Sequence, residues 1–153
     1  MPKRAPKAPS YRGRLPKNDK ASLVGRANKK KGTRPELDLS EALSSAGVKH
    51  ALHSADLPGK PDMIIPRHRI AIFCDGDFWH GRHWRKRRAR LSRGTNADYW
   101  VAKIASNRSR DARINRALRT LSWRVVRIWE SDIRKDPDSA ASLIKKRLRR
   151  TLK

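Results

Sequence analysis

The sequence has one cysteine and no long apolar run, and these two absences exclude several classes of protein. Cys74 is the only cysteine among 153 residues, so the chain can form neither an internal disulfide nor a multi-cysteine zinc site. No apolar run reaches the length of about 18 residues that a membrane-spanning helix needs. The basic N-terminus also lacks the apolar segment of a signal peptide. We therefore expect a protein of the reducing cytoplasm, with no membrane contact.

Acidic residues are scarce as well. The chain has 14 Asp and Glu against 39 Lys and Arg, a net charge of +25. A field of this sign attracts nucleic acid first and anionic membranes second. Residues 1–32 carry eleven Lys and Arg but a single acid, Asp19. We interpret this segment as a flexible basic arm that binds DNA phosphates. We interpret residues 33–153 as one folded domain.

The order of apolar and turn-forming segments predicts the fold class. Thr33 and Glu36 have the spacing of a capping box that opens a helix, and Gly47 is suited to close it. The apolar runs at 62–65 and 70–74 predict a hairpin, whose second strand shows no alternation and so indicates burial on both faces. The remaining expected elements are a strand at 48–53, a basic loop at 81–97, a long helix at 98–121, a strand at 123–129 and a helix at 138–152. This order predicts a mixed α/β sheet flanked by helices.

The first candidate for catalytic chemistry is Asp62, which begins a strand after the Pro58-Gly59 turn. In the predicted hairpin it falls near Cys74 on the opposite strand. A carboxylate beside a backbone carbonyl at a strand end could hold Mg²⁺ through hard oxygen ligands. The alternative is an Asp that only caps the turn.

A second candidate is a histidine paired with an acid. Asp111 lies on the inward stripe of the predicted long helix, and a buried carboxylate is costly without a partner. His80 is a suitable partner, and the pair would then be an oriented imidazole that deprotonates water. An arginine partner would instead make the pair structural. Asn107, one turn earlier, could contact phosphate or water, whereas the capping role alone would account for Glu36.

Aromatic and basic residues surround these candidates. Phe78 and Trp79 are neighbours in the chain, so in an extended segment they cannot both point into one core, and at least one is expected at the surface. Trp100 is the third aromatic beside the basic run at 82–93. Within that run we expect four residues to contact DNA: Arg85, Lys86, Arg87 and Arg88.

Between Gly32 and Arg134 the sequence resembles the Vsr family, the very-short-patch-repair endonucleases. These small bacterial enzymes have a PD-(D/E)XK-like nuclease fold and nick DNA beside a thymine in T:G mismatches. The resemblance is carried, in order, by Thr33-Arg34-Pro35-Glu36, Leu57-Pro58-Gly59-Lys60-Pro61-Asp62, Phe78-Trp79-His80, Tyr99-Trp100, Asn107 with Asp111, and Trp123-Arg124-Val125 leading to Trp129-Glu130.

The resemblance implies roles for these residues. Asp62 and the backbone carbonyl of Cys74 would be ligands of Mg²⁺, with one or two ions bound. His80 would be the general base, supported by Asp111, and Glu36 would contact the attacking water or the phosphate side. The aromatic residues Phe78, Trp79 and Trp100 would insert into the duplex near the mismatch.

The sequence departs from the family pattern at a structural zinc site. Typical members hold zinc with three cysteines and a histidine, and the matching positions here are Asp77, Arg82, Trp84 and Ser131. We therefore expect no structural zinc. We hypothesise that an Asp77–Arg82 ion pair and packing of Trp84 tie down the same loop. Cys74 stands where the family usually has threonine, which matters only if a thiolate were a ligand, since thiolates favour softer metals.

Three functional hypotheses remain. The first is a Mg²⁺-dependent endonuclease that nicks one strand of double-stranded DNA at T:G mismatches. The second is a Vsr-like nuclease that cuts paired DNA in a restriction or homing context. The third is a non-catalytic DNA-binding module. For the first we expect a monomer near the bacterial nucleoid, with mismatch-repair proteins as partners.

Overall fold

The computed structural model describes residues 9–10, 12–13 and 31–150, so most of the predicted basic arm lies outside the described residues. The elements are α1 (Arg34–Ser45), β1 (Ala51–Leu52), β2 (Met63–Ile65), a 3-10 turn (Pro66–His68), β3 (Ile70–Asp75), α2 (Trp84–Leu91), α3 (Ala97–Thr120), β4 (Arg124–Trp129), α4 (Glu130–Lys135) and α5 (Pro137–Arg149). Among the helices of these ranges, none combines the length and the apolar character that crossing a membrane requires.

The four strands form one mixed sheet in the order β1-β2-β3-β4. The predicted hairpin is confirmed: β2 and β3 are antiparallel, with Met63 opposite Ile72 and Ile65 opposite Ile70. β4 lies parallel to β3, and the crossover between them contains α2 and α3. The sheet is therefore mixed, as the sequence predicts.

Every residue of β3 is buried, which confirms that it is the central strand. On one face Ile70 and Ile72 belong to a core that includes Leu39 and Leu43 of α1 and Ile144 of α5. On the other face a second core contains Ala71 and Phe73 of β3 and Leu118 of α3. Helices therefore cover both faces of the sheet.

The strand predicted at 48–53 is shorter than expected, since only Ala51 and Leu52 pair with β2. Val48 instead donates its backbone N–H to the carbonyl of Leu43 and so closes the end of α1. The ring of His50 lies 2.9 Å from the carbonyl of Val48. The residues before Ala51 are thus used to end a helix rather than to extend the sheet.

The basic loop predicted at 81–97 is wrong, because residues 84–91 form helix α2. The segment has no apolar stripe, which is why its charge pattern suggested a loop. Its Arg, Lys, Ala and Leu residues nevertheless have high intrinsic helix propensity. Among the apolar side chains of the helical segments, Leu121 is 49% exposed and Leu143 is 47% exposed. Ala140, Ala141 and Ile144 provide the buried face of α5.

Candidate active site

Asp62 is positioned by the hairpin, immediately before β2. Its side-chain Oδ2 accepts a hydrogen bond of 2.7 Å from the backbone N–H of Cys74, and its backbone carbonyl accepts another from His53. The carboxylate is therefore fixed against the end of the central strand. One of its oxygens is held by this backbone bond.

The surroundings of Asp62 favour a cation. The pKa of Asp62 is raised to about 7, chiefly by burial; the negative charges of Glu36 and Asp75 also raise it, whereas the Cys74 N–H and His80 lower it. A buried carboxyl among other acids gains most from a bound positive charge. Asp62 thus fits a divalent cation, and the backbone oxygen of Cys74 is a hard donor of the kind that Mg²⁺ prefers.

The thiol of Cys74 is an unsuitable ligand. Burial, followed by the charge of Asp62, raises the pKa of Cys74 well above its ordinary value. The side chain therefore stays a neutral thiol at physiological pH. This leaves the backbone carbonyl as the donor that Cys74 can offer, and the replacement of threonine does not imply a softer metal.

Glu36 is buried, and its position differs from the predicted capping box. Its Oε2 accepts a hydrogen bond of 2.9 Å from the backbone N–H of Gly32, one residue before Thr33, whose N–H is the donor in a capping box. Thr33 makes no side-chain cap, and its hydroxyl has no partner within the described part of the chain. The reciprocal capping box is therefore wrong. The carboxylate instead turns toward the site, where its charge raises the pKa of Asp62.

The structure brings His80 and Asp111 together. His80 lies in the turn after β3, and Asp111 projects from α3, so that Nδ1 of His80 and Oδ2 of Asp111 are 2.6 Å apart. Nδ1 then carries the proton that it shares with Asp111, and Nε2 is left as the acceptor nitrogen. The arginine partner considered as an alternative is also present, since Arg127 Nη1 lies 3.6 Å from Oδ1 of Asp111.

Asp75 and Arg127 belong to the same cluster, and sequence reasoning missed both. Nη1 of Arg127 lies 3.0 and 3.2 Å from the two carboxylate oxygens of Asp75. Asp75 Oδ1 is 3.7 Å from Nδ1 of His80. Arg127, inside the apolar strand 123–129, was the available signal, because a charge among buried apolar residues needs a partner.

These charges set the protonation of His80. Burial alone lowers the pKa of His80, but the hydrogen bond to Asp111 and the charges of Asp75 and Asp111 raise it by more, while Arg127 lowers it. The pKa is therefore raised overall. The imidazole becomes a competent base only above this raised value.

Phe78, Trp79 and Trp100 form one aromatic cluster. Ring centroids are 5.2 Å apart for Phe78 and Trp79, 5.3 Å for Phe78 and Trp100, and 5.8 Å for Trp79 and Trp100. Trp79 is 37% exposed, which agrees with the expectation that at least one of the neighbours reaches the surface. Phe78 and Trp79 lie directly before His80 in the chain, and Trp100 comes from α3.

Asn107 makes an internal contact. It is buried, and its Nδ2 donates a hydrogen bond of 2.8 Å to the backbone carbonyl of Trp79. A contact of Asn107 with DNA stays a prediction. Asn107 fixes the turn that presents Trp79 and His80.

Helix α2 places its basic residues on two sides. A groove of about 310 Å³ is lined by Arg82, His83, Lys86, Arg87 and Arg90. The guanidinium of Arg87 is 5.4 Å from the ring centroid of Phe78, so this groove adjoins the aromatic cluster. Arg85 is exposed outside the groove, and Arg88 lines a different groove beside Trp84.

At three of the positions that match the family's zinc ligands, Asp77, Arg82 and Ser131, polar side chains form a cluster together with Asp132, and we call this cluster the clasp. Ser131 donates from its hydroxyl and its backbone N–H to the carboxylate of Asp77, at 2.6 and 3.1 Å. Arg82 Nη1 lies 3.3 Å from Asp77 and 3.0 Å from Asp132. The clasp therefore joins the turn before His80 to the start of α4.

The fourth matching position, Trp84, packs separately from the clasp. Its ring lies 5.4 Å from the guanidinium of Arg108 on α3. This contact anchors the first residue of α2 against α3. The loop between β3 and α3 is thus held at two points by side chains.

The site has the groups that a metal-dependent nuclease needs: a carboxylate and a backbone carbonyl at the end of a hairpin, an oriented histidine, and a basic aromatic surface. A family model described as DNA mismatch endonuclease Vsr matches residues 16–86. The type II nicking enzyme V.NmeDIP of Neisseria meningitidis serogroup C is 36% identical over 123 residues, 80% of this chain and 82% of its own. The DNA mismatch endonuclease Vsr of Escherichia coli K12 is 34% identical over 109 residues, 71% of this chain and 68% of its own. The chain belongs to the Vsr family of endonucleases.

Another relative is the type II nicking enzyme V.HpaIIP of Haemophilus parainfluenzae, 37% identical over 120 residues, which cover 78% of this chain and 84% of its own. The family match begins at residue 16, inside the segment interpreted as an arm. The arm as a separate unit stays a prediction.

Proposed function

We propose that this protein is a Mg²⁺-dependent DNA endonuclease that nicks one strand at T:G mismatches. The observation that carries the proposal is the grouping of Asp62 and the His80–Asp111 pair around the end of β3, next to the exposed aromatic cluster. Asp62 and the Cys74 carbonyl are the residues that would hold Mg²⁺. The bound ion would supply neutralisation of the scissile phosphate and of the leaving oxygen.

The protein's own part in the chemistry is proton transfer and orientation. Nε2 of His80 takes the proton from the attacking water, while Asp111 keeps the proton on Nδ1 and stabilises the imidazolium that forms. Glu36 faces the same site with a buried carboxylate and contributes negative charge there. Asn107 holds the backbone of Trp79 and so helps to place His80 in the adjoining position.

The aromatic cluster supplies a reason for mismatch selectivity. A wobble pair stacks and pairs less well than a matched pair, so separating it from its neighbours costs less free energy. Apolar side chains that insert between base steps use this difference. We propose that Phe78, Trp79 and Trp100 perform the insertion, with Trp79 leading because it is the most exposed of the three.

Nicking of three duplexes tests the proposal: one with T:G, one with T:A and one with C:G at the same position, each in Mg²⁺ and in EDTA. We expect one nicked strand, in the T:G duplex, in Mg²⁺ only. Equal cutting of all three would instead support a nuclease for paired DNA, a possibility that the relatives named as type II nicking enzymes keep open. Salt-sensitive binding without any cutting would support the non-catalytic alternative.

Trp79→Ala should reduce nicking of the T:G duplex by tenfold or more without a large loss of stability. The side chain is 37% exposed, so its truncation should cost well below the ~3–5 kcal/mol expected for a core tryptophan. Nicking rates and thermal melting measure the two effects. A large drop in melting temperature would contradict the insertion role, and Trp123→Ala is the comparison at a tryptophan that packs against the core.

The groove predicts that basic residues lining it contribute more to DNA affinity than basic residues on the other side of α2. When one phosphate contact is removed, the slope of log affinity against log salt concentration becomes shallower by about 0.9. We expect Lys86→Gln with Arg90→Gln to reduce this slope by about 2. Arg85→Gln with Arg88→Gln, which removes the same charge outside the groove, should reduce it by less than about 1. Equal reductions would show that only overall charge matters.

We infer that the clasp performs the structural task that zinc has in typical members. Ser131→Ala removes the hydroxyl bond to Asp77 and should lower the free energy of unfolding by about 1 kcal/mol. Chelators should leave the melting temperature of the unaltered protein unchanged when no Mg²⁺ is present. Elemental analysis that finds one zinc per chain would contradict this inference. The monomeric state and the mismatch-repair partners stay predictions.

A further inference from the structure

A single atom of Arg127 contacts both carboxylates beside the histidine. Nη1 lies 3.0 Å from Oδ1 of Asp75 and 3.6 Å from Oδ1 of Asp111. The side chain of Arg127 is held in place from two other directions. Its Nε donates a hydrogen bond of 2.9 Å to Oδ1 of Asn115, and its guanidinium stacks 4.2 Å from the ring centroid of Phe73.

Without this guanidinium, the same residues have the spacing of a metal site. One ligand atom from each of Asp75, His80 and Asp111 lies within 4.8 Å of the others. Two carboxylates and an imidazole are a common ligand set for zinc, manganese and iron. The Asp62 carboxylate is not one of these three groups, and it binds the N–H of Cys74.

A metal ion in this cluster would disable the histidine. Nδ1 of His80 faces Asp111, so an ion among the three side chains would take the lone pair of Nδ1. A neutral imidazole that is bound through Nδ1 carries its proton on Nε2. Nε2 could then no longer accept a proton from water, and His80 would cease to be a base.

We propose that Arg127 is the built-in cation of the His80 cluster, and that its guanidinium keeps divalent metal ions from the group that acts as the base. Arginine suits this task because it stays charged at every physiological pH and its five N–H donors match carboxylates. Arg127 is thus a positioning residue: it acts on Asp75 and Asp111, and through them on His80. The inference depends on the proposed function only for the role of His80.

Metal binding tests the inference without relying on nicking. Asp62→Asn removes the principal metal ligand and provides the background. Titration calorimetry then compares the number of Zn²⁺ ions bound per chain. We expect Arg127→Met, added to Asp62→Asn, to bind one ion more than Asp62→Asn alone. Arg127→Lys, added in the same way, should bind no additional ion. An equal Zn²⁺ stoichiometry for the Met and Lys variants would overturn the proposal, provided that circular dichroism shows both are folded.

Activity in the presence of Zn²⁺ provides the matched measurement in otherwise unaltered protein. Low micromolar Zn²⁺ added to Mg²⁺ should inhibit nicking by Arg127→Met at least tenfold, and Arg127→Lys should restore resistance. A purely structural role of Arg127 would lower activity equally with and without Zn²⁺.

A measurement on the unaltered protein covers the case in which Arg127→Met fails to fold. Crystals soaked in Mn²⁺ should show anomalous density at Asp62 and none between Asp75, His80 and Asp111. Density between those three residues would overturn the proposal. Absence of density at Asp62 would count against the proposed function instead, so the two failures are distinguishable.

Discussion

Asp62→Asn is expected to nick a T:G duplex at least about 10³ times more slowly than the unaltered protein, with DNA affinity nearly unchanged. The substitution keeps the shape of the side chain and an oxygen that can accept the Cys74 N–H bond. It removes the negative charge that holds Mg²⁺, and charge neutralisation by a metal supplies several kcal/mol of transition-state stabilisation. DNA binding relies on the cationic groove and should persist.

The same substitution should stabilise the metal-free protein. The pKa of Asp62 is raised to about 7 by burial and by neighbouring acids. A carboxyl with a raised folded-state pKa destabilises the fold above that pKa, and the penalty fades as the pH falls toward the ordinary value of 3.8. The shift corresponds to at most about 4 kcal/mol at pH 8. Because the buried amide of the variant has a desolvation cost of its own, we expect a gain of about 2 kcal/mol, or about 5 °C in melting temperature.

Nicking rates, filter binding and thermal melts in EDTA at pH 8 and pH 5 provide the measurements for Asp62→Asn. Asp56→Asn is the matched control, because it makes the same chemical change on an exposed turn six positions earlier. It should change neither activity nor stability. If Asp62→Asn cut at the full rate, or melted lower than the unaltered protein in EDTA, Asp62 would not be the metal-binding carboxylate.

The expected loss of nicking and gain of metal-free stability in Asp62→Asn have one cause, the buried negative charge of Asp62. The fold places Asp62 where, without a cation, its negative charge is costly. Such a site gives up stability so that binding energy is available for the metal. The His80 cluster differs, because Arg127 is already there to compensate Asp75 and Asp111. The two groups of acids are thus distinguished by whether the chain supplies its own cation.

Features of the fold and site that depend on residues close together in the chain could be predicted from the sequence, and contacts between distant residues could not. The hairpin followed from local apolar runs, and Asp111 was found through the helical period of its neighbours Ile104 and Leu118. Helix α2 was missed because its residues have helix propensity without an apolar face. The charge pattern therefore favoured a loop.

The contacts of Asp75 with Arg127 could not be predicted, because they depend on the parallel register of β3 and β4. That register joins residues 52 positions apart, and no local pattern specifies it. The bond of Glu36 to Gly32 instead of Thr33 is likewise not specified by the local capping pattern. Site chemistry was therefore visible in residue types, and site geometry only in the fold.

His80→Ala is expected to reduce nicking by about 10² to 10⁴-fold, the usual contribution of a positioned general base. DNA affinity and Mg²⁺ affinity should stay close to those of the unaltered protein, because the histidine contacts Asp111 and not the Asp62 carboxylate. His68→Ala, at the far turn of the hairpin, is the control and should be fully active. Single-turnover nicking at saturating Mg²⁺ separates the chemical step from binding.

The pH dependence of nicking identifies the base more sharply than the loss of activity does. The pKa of His80 is lowered by burial but raised overall by Asp111 and Asp75, so the rate should increase with pH up to a value above the ordinary 6.5 of histidine. Asp111→Asn keeps an oxygen for the Nδ1 proton but removes a negative charge. In this variant the rise of the nicking rate with pH should therefore occur at lower pH. The maximal rate should also fall, because the imidazolium is less stabilised. The variant lacks a charge that raises the pKa of His80. An unchanged pH profile in Asp111→Asn would therefore mean that a group other than His80 takes the proton.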